Sequence, residues 1–359
     1  MAEHGEPGEC FDPHVVEGAG KRLISFYNRG EKYDDAKRIN SLVAKSQERH
    51  AALGDAMLAS IFLQKAIDSY SAAGMQNDAE RVRIVMQQKI REARSEMNQI
   101  SHEFTIAKDD MDAFVAGIVV EDPGVTFARL ASQFLSSRKE IDDQLVKLAE
   151  EAPLASILGR STLADDHVSA VIGSTDDDRH GRAISQAAQN FSFSSVWLRQ
   201  SLFKAIEKHD WTPEHFAAWT NRLQLFDETT CLVHGFSAWY EGDLVKAIHV
   251  LVPQVELGLR RIVEKLGKAT TKGDPMRPGV SLAIGMGDIL YNSEITESLG
   301  PDLTLHFLAL CADSRGVNLR NRVAHGLLKS DEMHLGITLW LIQSLLVFGI
   351  WDQLASNRR

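Results

Sequence analysis

The chain has 359 residues, of which 44% are hydrophobic and 25% are charged, and this composition is that of a folded protein rather than a disordered one. Its formal net charge of −10 means that the surface as a whole repels polyanions, so any contact with RNA must be made by a local basic patch. The length exceeds what one hydrophobic core normally supports, which predicts two domains.

The N-terminal sequence and the cysteines indicate a cytoplasmic protein. The first 20 residues are acidic and lack the basic start and apolar run of a signal peptide. Cys10, Cys231 and Cys311 are odd in number and far apart, which matches neither a disulfide framework nor a C-x-x-C metal site. We therefore expect a reducing environment, no metal and no cofactor.

Residues 21–147 have the pattern of a series of helices, because proline is almost absent and apolar residues recur at spacings of three and four. The sequences FYNRGEKYDDA (residues 26–36) and SYSAAGMQNDA (residues 69–79) resemble each other, each with a turn before an Asp-Ala pair. Two interpretations remain open. The segment is either a repeat scaffold of α-hairpins, similar to a degenerate tetratricopeptide array, or an ordinary bundle with two similar turns.

A change of composition follows at residues 153–182, which are rich in Ser, Gly, Asp and Thr and show no sustained period. This predicts a linker. The acidic run at residues 176–178, with His180 nearby, has no metal-ligand spacing, so we expect it to be solvated. The expected domains are a helical scaffold over residues 1–152 and a second helical domain over residues 183–359.

The second domain is predicted to be helical throughout. The pattern places its helices at residues 183–208, 216–228, 231–239, 244–267, 282–291, 301–312, 318–328 and 335–354. A Thr-Pro-Glu sequence at residues 212–214 is a typical helix start. With the N-terminal scaffold, this makes the whole protein all-α.

The segment at residues 335–351 has no formal charge and could be mistaken for a membrane span. It is shorter than the roughly 20 residues that a spanning helix needs, and Gln343 and Ser344 interrupt it. We expect a buried core helix, with Trp340 and Phe348 inside, and no membrane partner.

The most informative sequence is GVNLRNRVAHG, at residues 316–326. Asn318 is a favourable N-cap, which would place Arg320, Asn321 and His325 in the first two turns of a helix. Asn321 and His325 are four residues apart and would share a face, and the long side chain of Arg320 can reach the same point. Because the first turn of a helix has unpaired N–H groups, this arrangement predicts a phosphate site.

These residue types suit RNA cleavage without a metal. An imidazole can take the 2′-OH proton or protonate the leaving 5′-oxygen, and a guanidinium can stabilise the charged phosphorane. The amide of Asn321 could orient the imidazole or bind a phosphate oxygen. Local charge agrees, because residues 246–277 carry seven Lys or Arg against three acids, and residues 315–329 carry four against none.

Arg320-Asn321-x-x-x-His325 resembles the R-N-x-x-x-H motif of HEPN domains, helical bundles found in toxins, defence ribonucleases and CRISPR effectors. Together with WYEGD at residues 239–243 and the helix that carries Glu256 and Arg260, it is also similar to a domain family of bacteria and eukaryotes. That family is defined by an R-N-x-x-x-H-G motif and includes an endoplasmic-reticulum protein implicated in RNA degradation. The similarity covers roughly residues 183 to 352.

The resemblance implies a HEPN-like bundle that acts as a metal-independent endoribonuclease, in stress response or phage defence. The residues expected to be catalytic are Arg320, Asn321 and His325. The residues expected to bind the substrate are Arg322, Asn318, Arg260 and Glu256. RNA is the expected substrate and a homodimer the expected assembly, because HEPN ribonucleases generally build composite sites. The sequence leaves open whether a regulatory protein also binds.

Three alternatives limit this interpretation. HEPN-like domains can bind RNA or proteins without cleaving anything, since fold does not imply function. Arg320 and His325 could instead be buried hydrogen-bonding residues that hold the bundle or a dimer together. Glu256 and Arg260 lie four residues apart on one helix and could form an intrahelical ion pair without lining a pocket.

Overall fold

The structure, a computed structural model, describes Gly5 and residues 11–96, 105–164 and 167–356. These residues are mostly helical, and the strands among them form two short hairpins. The predicted all-α class is thereby confirmed. Contacts divide the chain into two compact units, Met1–Glu103 with Ser161–Val171, and Phe104–Arg160 with Ile172–Arg359. Cys10 lies outside the described residues.

The described part of the first unit contains a row of long helices, each packed against the next. They are α1 (Pro13–Arg29), α2 (Tyr33–Ala51), α3 (Ala56–Ala72) and α4 (Gln76–Glu96). Apolar residues from α2, α3 and α4 form the main core of this unit, including Phe62, Leu63, Tyr70 and Ile90. Because the connections are short, neighbouring helices run antiparallel, as in stacked α-hairpins.

The two similar sequences form the α1–α2 and α3–α4 turns. Glu31 and Gly74 occupy equivalent positions in them, and both are left-handed, with φ of 55° and 77°. Glycine adopts this conformation without strain, whereas a residue with a Cβ adopts it at a cost. The shared backbone conformation favours the repeat interpretation over two turns that are similar by chance.

The second unit contains the remaining helices. They are α5 (Lys108–Ile118), α6 (Pro123–Gln133), α7 (Arg138–Glu151), α8 (Pro153–Ile157), α9 (Arg179–His209), α10 (Pro213–Thr220), α11 (Thr230–Tyr240), α12 (Leu244–Lys265), α13 (Met286–Leu290), α14 (Ser293–Leu299), α15 (Pro301–Phe307), α16 (Leu319–Ala324), α17 (Leu335–Val347) and α18 (Trp351–Ser356). A π-helical turn, Leu308–Ala312, continues α15, and a 3-10 turn, Phe348–Ile350, joins α17 to α18.

The two hairpins lie between helices. The first pairs β1 (Arg160–Leu163) with β2 (Val168–Ile172), and the second pairs β3 (Thr271–Gly273) with β4 (Ser281–Ala283) in antiparallel register. The β3–β4 hairpin follows α12 and leads into α13, so it brings residues around position 284 back beside α12.

The boundaries between the units lie partly inside the expected linker, because the chain passes from one unit to the other at residues 103–104, 160–161 and 171–172. Residues 153–182 form α8, the first hairpin and the start of α9, where Asp178 caps the helix by accepting a hydrogen bond from the Gly181 N–H (2.8 Å). Phe127, Leu130 and Leu145, expected in the N-terminal scaffold, belong to the core of the second unit. The expected linker thus contains two of the three boundaries between the units, together with ordered elements.

The apolar segment forms the centre of the second unit. Trp340 is 4% exposed and Phe348 is fully buried, which confirms their predicted burial. By length and composition, Leu335–Leu354 is the one described stretch that could cross a membrane, and 72% of its apolar window is buried inside the unit. Two of its buried polar groups have partners, since Gln343 Nε2 donates to the carbonyl of Ala131 (2.9 Å) and Ser344 Oγ lies 2.9 Å from His306 Nε2.

Candidate functional site

Helix α12 carries the first two residues of the site. Its apolar stripe is buried, and Glu256 and Arg260 lie one turn apart beside that stripe, with side chains 16% and 25% exposed. Arg260 Nη2 donates to Glu256 Oε1 (2.8 Å), and its Nε donates to the carbonyl of Ile284 (3.1 Å). The predicted intrahelical ion pair therefore exists, and Arg260 also fastens the end of the β3–β4 hairpin to α12.

The ion pair extends to the motif. Arg320 Nε donates to the second carboxylate oxygen of Glu256 (2.7 Å), and the buried Leu319 anchors the start of α16 in the core. One carboxylate thus bridges two guanidinium groups, which leaves a net charge of +1 on the three side chains. Glu256 and Arg260 therefore belong to the same cluster as Arg320 and are more than a local helix pair.

Asn321 and Asn318 complete this cluster. Arg320 Nη1 donates to Asn321 Oδ1 (3.2 Å), and Asn321 Nδ2 donates to Asn318 Oδ1 (2.8 Å) and to the carbonyl of Ala312 (3.3 Å). Asn318 lies at the N-cap position of α16, as expected, but it is left-handed (φ 54°) and its side chain does not cap the helix. The amide of Asn321 positions Arg320 and the start of the helix.

His325 lies apart from these contacts. Helix α16 has six residues instead of the predicted eleven, so His325 is its C-cap, and Gly326 (φ 67°) follows in the left-handed conformation that ends helices. The imidazole is exposed and makes no hydrogen bond or ion pair with any residue that the structure describes. The expected contact between Asn321 and the imidazole is absent, because both polar atoms of the Asn321 amide bind elsewhere.

Arg322 is also separate from the cluster. Its Nη2 donates to Glu332 Oε1 (2.6 Å), in the loop between α16 and α17. Partial burial would raise the pKa of Glu332, but hydrogen bonds from the Lys329 N–H and from Arg322 lower it below its usual value. The structure therefore places Arg322 in a neighbouring ion pair that closes the loop after α16.

A buried carboxylate fixes the loop before α16. Asp313 is 1% exposed and accepts hydrogen bonds from Tyr291 Oη (2.5 Å) and from Arg315 Nη2 (2.6 Å) and Nε (2.9 Å). Arg315 Nη1 also donates to Asp178 (3.1 Å). Burial would raise the pKa of Asp313, but the hydrogen bonds from Arg315 and Tyr291 keep it below its usual value. Asp313 is therefore a charged carboxylate, and both of its oxygens accept hydrogen bonds.

The same loop approaches the π-helical turn very closely. The Val317 N–H donates to the carbonyl of Ala309 (2.7 Å), and a Cβ on Gly316 would lie 2.2 Å from that oxygen. Only glycine fits at this position. Since π-helical turns occur often at functional sites, their location directly before the motif supports the choice of this region as the site.

Sequence reasoning missed several residues around the cluster. Asp313 and Arg315 lie two positions apart just before the motif and could have been noticed as an acid–base pair, but nothing in the sequence links them to Tyr291. The turn at Gly285 also lies beside the motif, because a Cβ there would be 4.0 Å from Arg320 Nη2. The nearby Asp288 accepts from Lys272 (2.5 Å), which brings the β3–β4 hairpin to the site.

Among the described residues, no three His, Cys, Asp or Glu side chains are grouped so that they could hold a metal ion. No family model, curated protein or solved structure matches the chain.

Proposed function

We propose that this protein is a metal-independent endoribonuclease of the HEPN type, acting on RNA in stress response or phage defence, with Arg320, Asn321 and His325 at its centre. The observation that carries the proposal is a fixed guanidinium in a short helix and a free imidazole at the C-cap of the same helix. Arg320 is held by Glu256 and Asn321, while His325 is exposed and has no partner in the described part of the chain. Such an imidazole can transfer protons without first breaking a protein contact.

The two arginines supply the phosphate contacts in this proposal. Arg320 uses Nε and Nη1 within the protein, and Arg260 uses Nε and Nη2, so each keeps one terminal nitrogen without a partner among the described residues. Those nitrogens can donate to the non-bridging oxygens of a scissile phosphate and stabilise charge that grows in the transition state. Glu256 holds both groups in place.

His325 supplies one proton transfer. Its imidazole takes the proton of the ribose 2′-OH, the 2′-oxygen bonds to phosphorus, and the bond from phosphorus to the 5′-oxygen breaks. The leaving 5′-oxygen must receive a proton, and one copy of the motif offers one imidazole. We therefore include a homodimer in the proposal, in which His325 of a second copy acts as the acid across a shared cleft.

Two observations favour a second candidate, an RNA- or protein-binding module without catalysis. Arg320 is already paired with Glu256, and no described residue orients the imidazole of His325. Both features are typical of a site that holds a ligand in place rather than one arranged for rapid proton transfer.

Chimeric oligonucleotides distinguish the two candidates. The substrates are a labelled RNA, the same sequence as DNA, and the DNA with one internal ribonucleotide, each incubated with the protein in EDTA. The ribonuclease proposal predicts cleavage of the RNA and of the chimera after its single ribose, with a 2′,3′-cyclic phosphate end, because the mechanism consumes a 2′-OH. RNA that is bound but uncut indicates the RNA-binding module, and RNA that is neither bound nor cut contradicts both the ribonuclease and the RNA-binding module.

A further inference from the structure

Tyr291 is an aromatic residue of the second unit whose ring is exposed beside the candidate site. It is the C-cap of α13 and is 55% exposed. Its hydroxyl donates to Oδ2 of Asp313 (2.5 Å), and Asp313 is buried. Since the hydroxyl end of the side chain points to a buried carboxylate, the exposed part is the ring.

The ring is also held in a fixed position. The partner carboxylate, Asp313, is itself fixed by hydrogen bonds from Arg315 Nη2 (2.6 Å) and Nε (2.9 Å). Burial and the hydrogen bond to Asp313 raise the pKa of Tyr291 to about 12, so the hydroxyl stays protonated and donates at neutral pH. A ring that is oriented in advance loses little conformational entropy when a flat ligand binds to it.

The backbone before the motif connects Tyr291 to the phosphate-binding residues. Asn321, which holds Arg320, donates from Nδ2 to the carbonyl of Ala312 (3.3 Å). Ala312 directly precedes Asp313, the partner of Tyr291. The same short stretch of chain therefore positions both the guanidinium of the motif and the exposed ring.

Helix α13 makes a second connection between the ring and the motif. Its N-cap is Gly285, where a Cβ would lie 4.0 Å from Arg320 Nη2. Its C-cap is Tyr291, whose N–H donates to the carbonyl of Gly287 (3.0 Å). A helix from Gly285 to Tyr291 rises about 9 Å, which is a distance that one nucleotide can span.

The chemistry of RNA cleavage gives such a ring a function. In-line attack by a 2′-OH requires a backbone turned out of A-form geometry, so the bases beside the cut are unstacked and exposed. Proteins that bind single-stranded RNA cover exposed bases with aromatic side chains, because every base has a flat face. The arginines of the site can bind phosphate oxygens, but they cover no base in the proposed mechanism.

We propose that the ring of Tyr291 stacks on the base of a nucleotide next to the scissile phosphate. This assignment rests on the proposed RNA site, and it makes single-stranded RNA the ligand, since the bases inside a duplex are covered by their neighbours. Stacking accepts any base and favours those that stack strongly. Tyr291 is therefore a substrate-binding residue that acts on the base, whereas Arg320 and Arg260 act on the phosphate.

Binding of strands that cannot be cut tests the proposal. The probes are labelled 2′-fluoro hexa-adenylate, which lacks the 2′-OH nucleophile, and an abasic strand of equal length, both measured by fluorescence anisotropy with the full chain. Wild type should bind hexa-adenylate about tenfold or more tightly than the abasic strand, because a stacked base contributes that much to affinity. Equal affinity for the two strands, or no binding of hexa-adenylate at millimolar concentration, would overturn the proposal.

Matched variants separate the ring from the hydroxyl. Tyr291→Phe and Tyr291→Leu lose the same hydrogen bond to Asp313, but only the first keeps a ring. Tyr291→Leu should weaken hexa-adenylate binding about tenfold or more without changing abasic binding, and Tyr291→Phe should stay within about threefold of wild type. Equal losses in both variants, or an equal loss for both strands, would show that the ring does not stack on a base.

Tyr240→Leu is the control for the loss of a tyrosine. Tyr240 is 40% exposed, and its hydroxyl donates to the carbonyl of Trp211 (2.6 Å) and not to the loop before the motif. This variant should bind both strands as wild type does. A loss of hexa-adenylate binding as large as that of Tyr291→Leu would contradict the assignment to Tyr291.

The stacking proposal and the proposed ribonuclease can fail separately. Binding of hexa-adenylate that depends on the ring of Tyr291, in a protein that cuts no RNA, would support the stacking and contradict the ribonuclease. Cleavage that depends on His325, with equal hexa-adenylate affinity in wild type and Tyr291→Leu, would support the ribonuclease and overturn the stacking.

Discussion

Arg320 and His325 differ in their contacts within the protein. We therefore expect substitutions of the two residues to differ in their effect on stability. Arg320 is bonded to Glu256 and Asn321, whereas His325 is exposed. We expect Arg320→Ala to lower the free energy of unfolding by about 1 kcal/mol and His325→Ala to change it by less than about 0.5 kcal/mol. Urea denaturation measures both. A loss of several kcal/mol in His325→Ala would favour the alternative in which this histidine holds the bundle together.

Asp313 should make stability depend on pH in the acid range. The hydrogen bonds of Arg315 and Tyr291 lower its pKa in the folded state below the ordinary value of about 3.9. A lowered pKa contributes stability that is present above the unfolded pKa and is lost as pH falls through the folded pKa. We therefore expect the free energy of unfolding to decrease below about pH 5.

The variant Asp313→Asn isolates this contribution. It should lose about 3 kcal/mol at neutral pH, because Arg315 keeps only Asp178 as an acidic partner, and its stability should vary less with pH than that of wild type. Asp143→Asn is the control, since Asp143 is 66% exposed and its partner among the described residues is an exposed lysine. The same pH dependence in Asp313→Asn and wild type would show that Asp313 is not responsible.

At the scale of elements, the sequence predicted the long helices well. Helices α9, α11 and α12 lie close to their predicted bounds, and the helix predicted at residues 335–354 is formed by α17, the 3-10 turn and α18 in succession, because each segment has a buried apolar stripe or is largely apolar. The short helices and strands were harder to predict from the sequence. The segment at residues 282–291 forms a strand and a five-residue helix, and α14 was not predicted, since elements of one or two turns have too few residues to show a period.

The candidate site shows the same limit. The Glu256–Arg260 pair follows from a spacing of four on a helix, and the structure contains it. The contact of Glu256 with Arg320 joins residues 64 positions apart, and Asn321 bonds to a carbonyl in the preceding π-helical turn. Neither contact can be predicted from a spacing in the sequence, because tertiary packing brings the partners together. For that reason the direction of the Asn321 amide could not be predicted.

Gly316 tests whether the loop before α16 is as closely packed as the structure shows. Gly316→Ala would place a methyl group against the backbone carbonyl of Ala309, which cannot rotate away, so we expect a loss of about 2 kcal/mol or more in unfolding free energy. Gly287→Ala in α13 is the control, since a Cβ there meets no atom within 4 Å. Equal stability of the two variants would show that the loop can move aside.

At the scale of the whole molecule, composition marked two of the three boundaries between the units, at residues 160–161 and 171–172, but not the one at residues 103–104. Residues 105–152 have the same helical pattern as the residues before them, and only their burial in the core around α17 assigns them to the second unit. A Ser- and Asp-rich stretch looks the same whether it links two domains or connects short elements within one.

The proposed chemistry predicts a homodimer. One motif supplies one imidazole, and two-step proton transfer needs an acid as well as a base, so two copies should assemble through the second unit. Light scattering at tens of micromolar should give about twice the 39.9 kDa of the chain. A mass of one chain at that concentration would contradict the composite site.

We propose that His325 performs proton transfer in RNA cleavage. The most direct measurement is the rate at which the purified protein cuts labelled RNA in EDTA, compared among wild type, His325→Ala and His249→Ala. His249 is an exposed histidine on α12 and serves as the matched control. We predict that His325→Ala lowers the rate by about 10² or more and that His249→Ala does not change it. Equal rates in all three proteins, or no cleavage by wild type, would contradict the account.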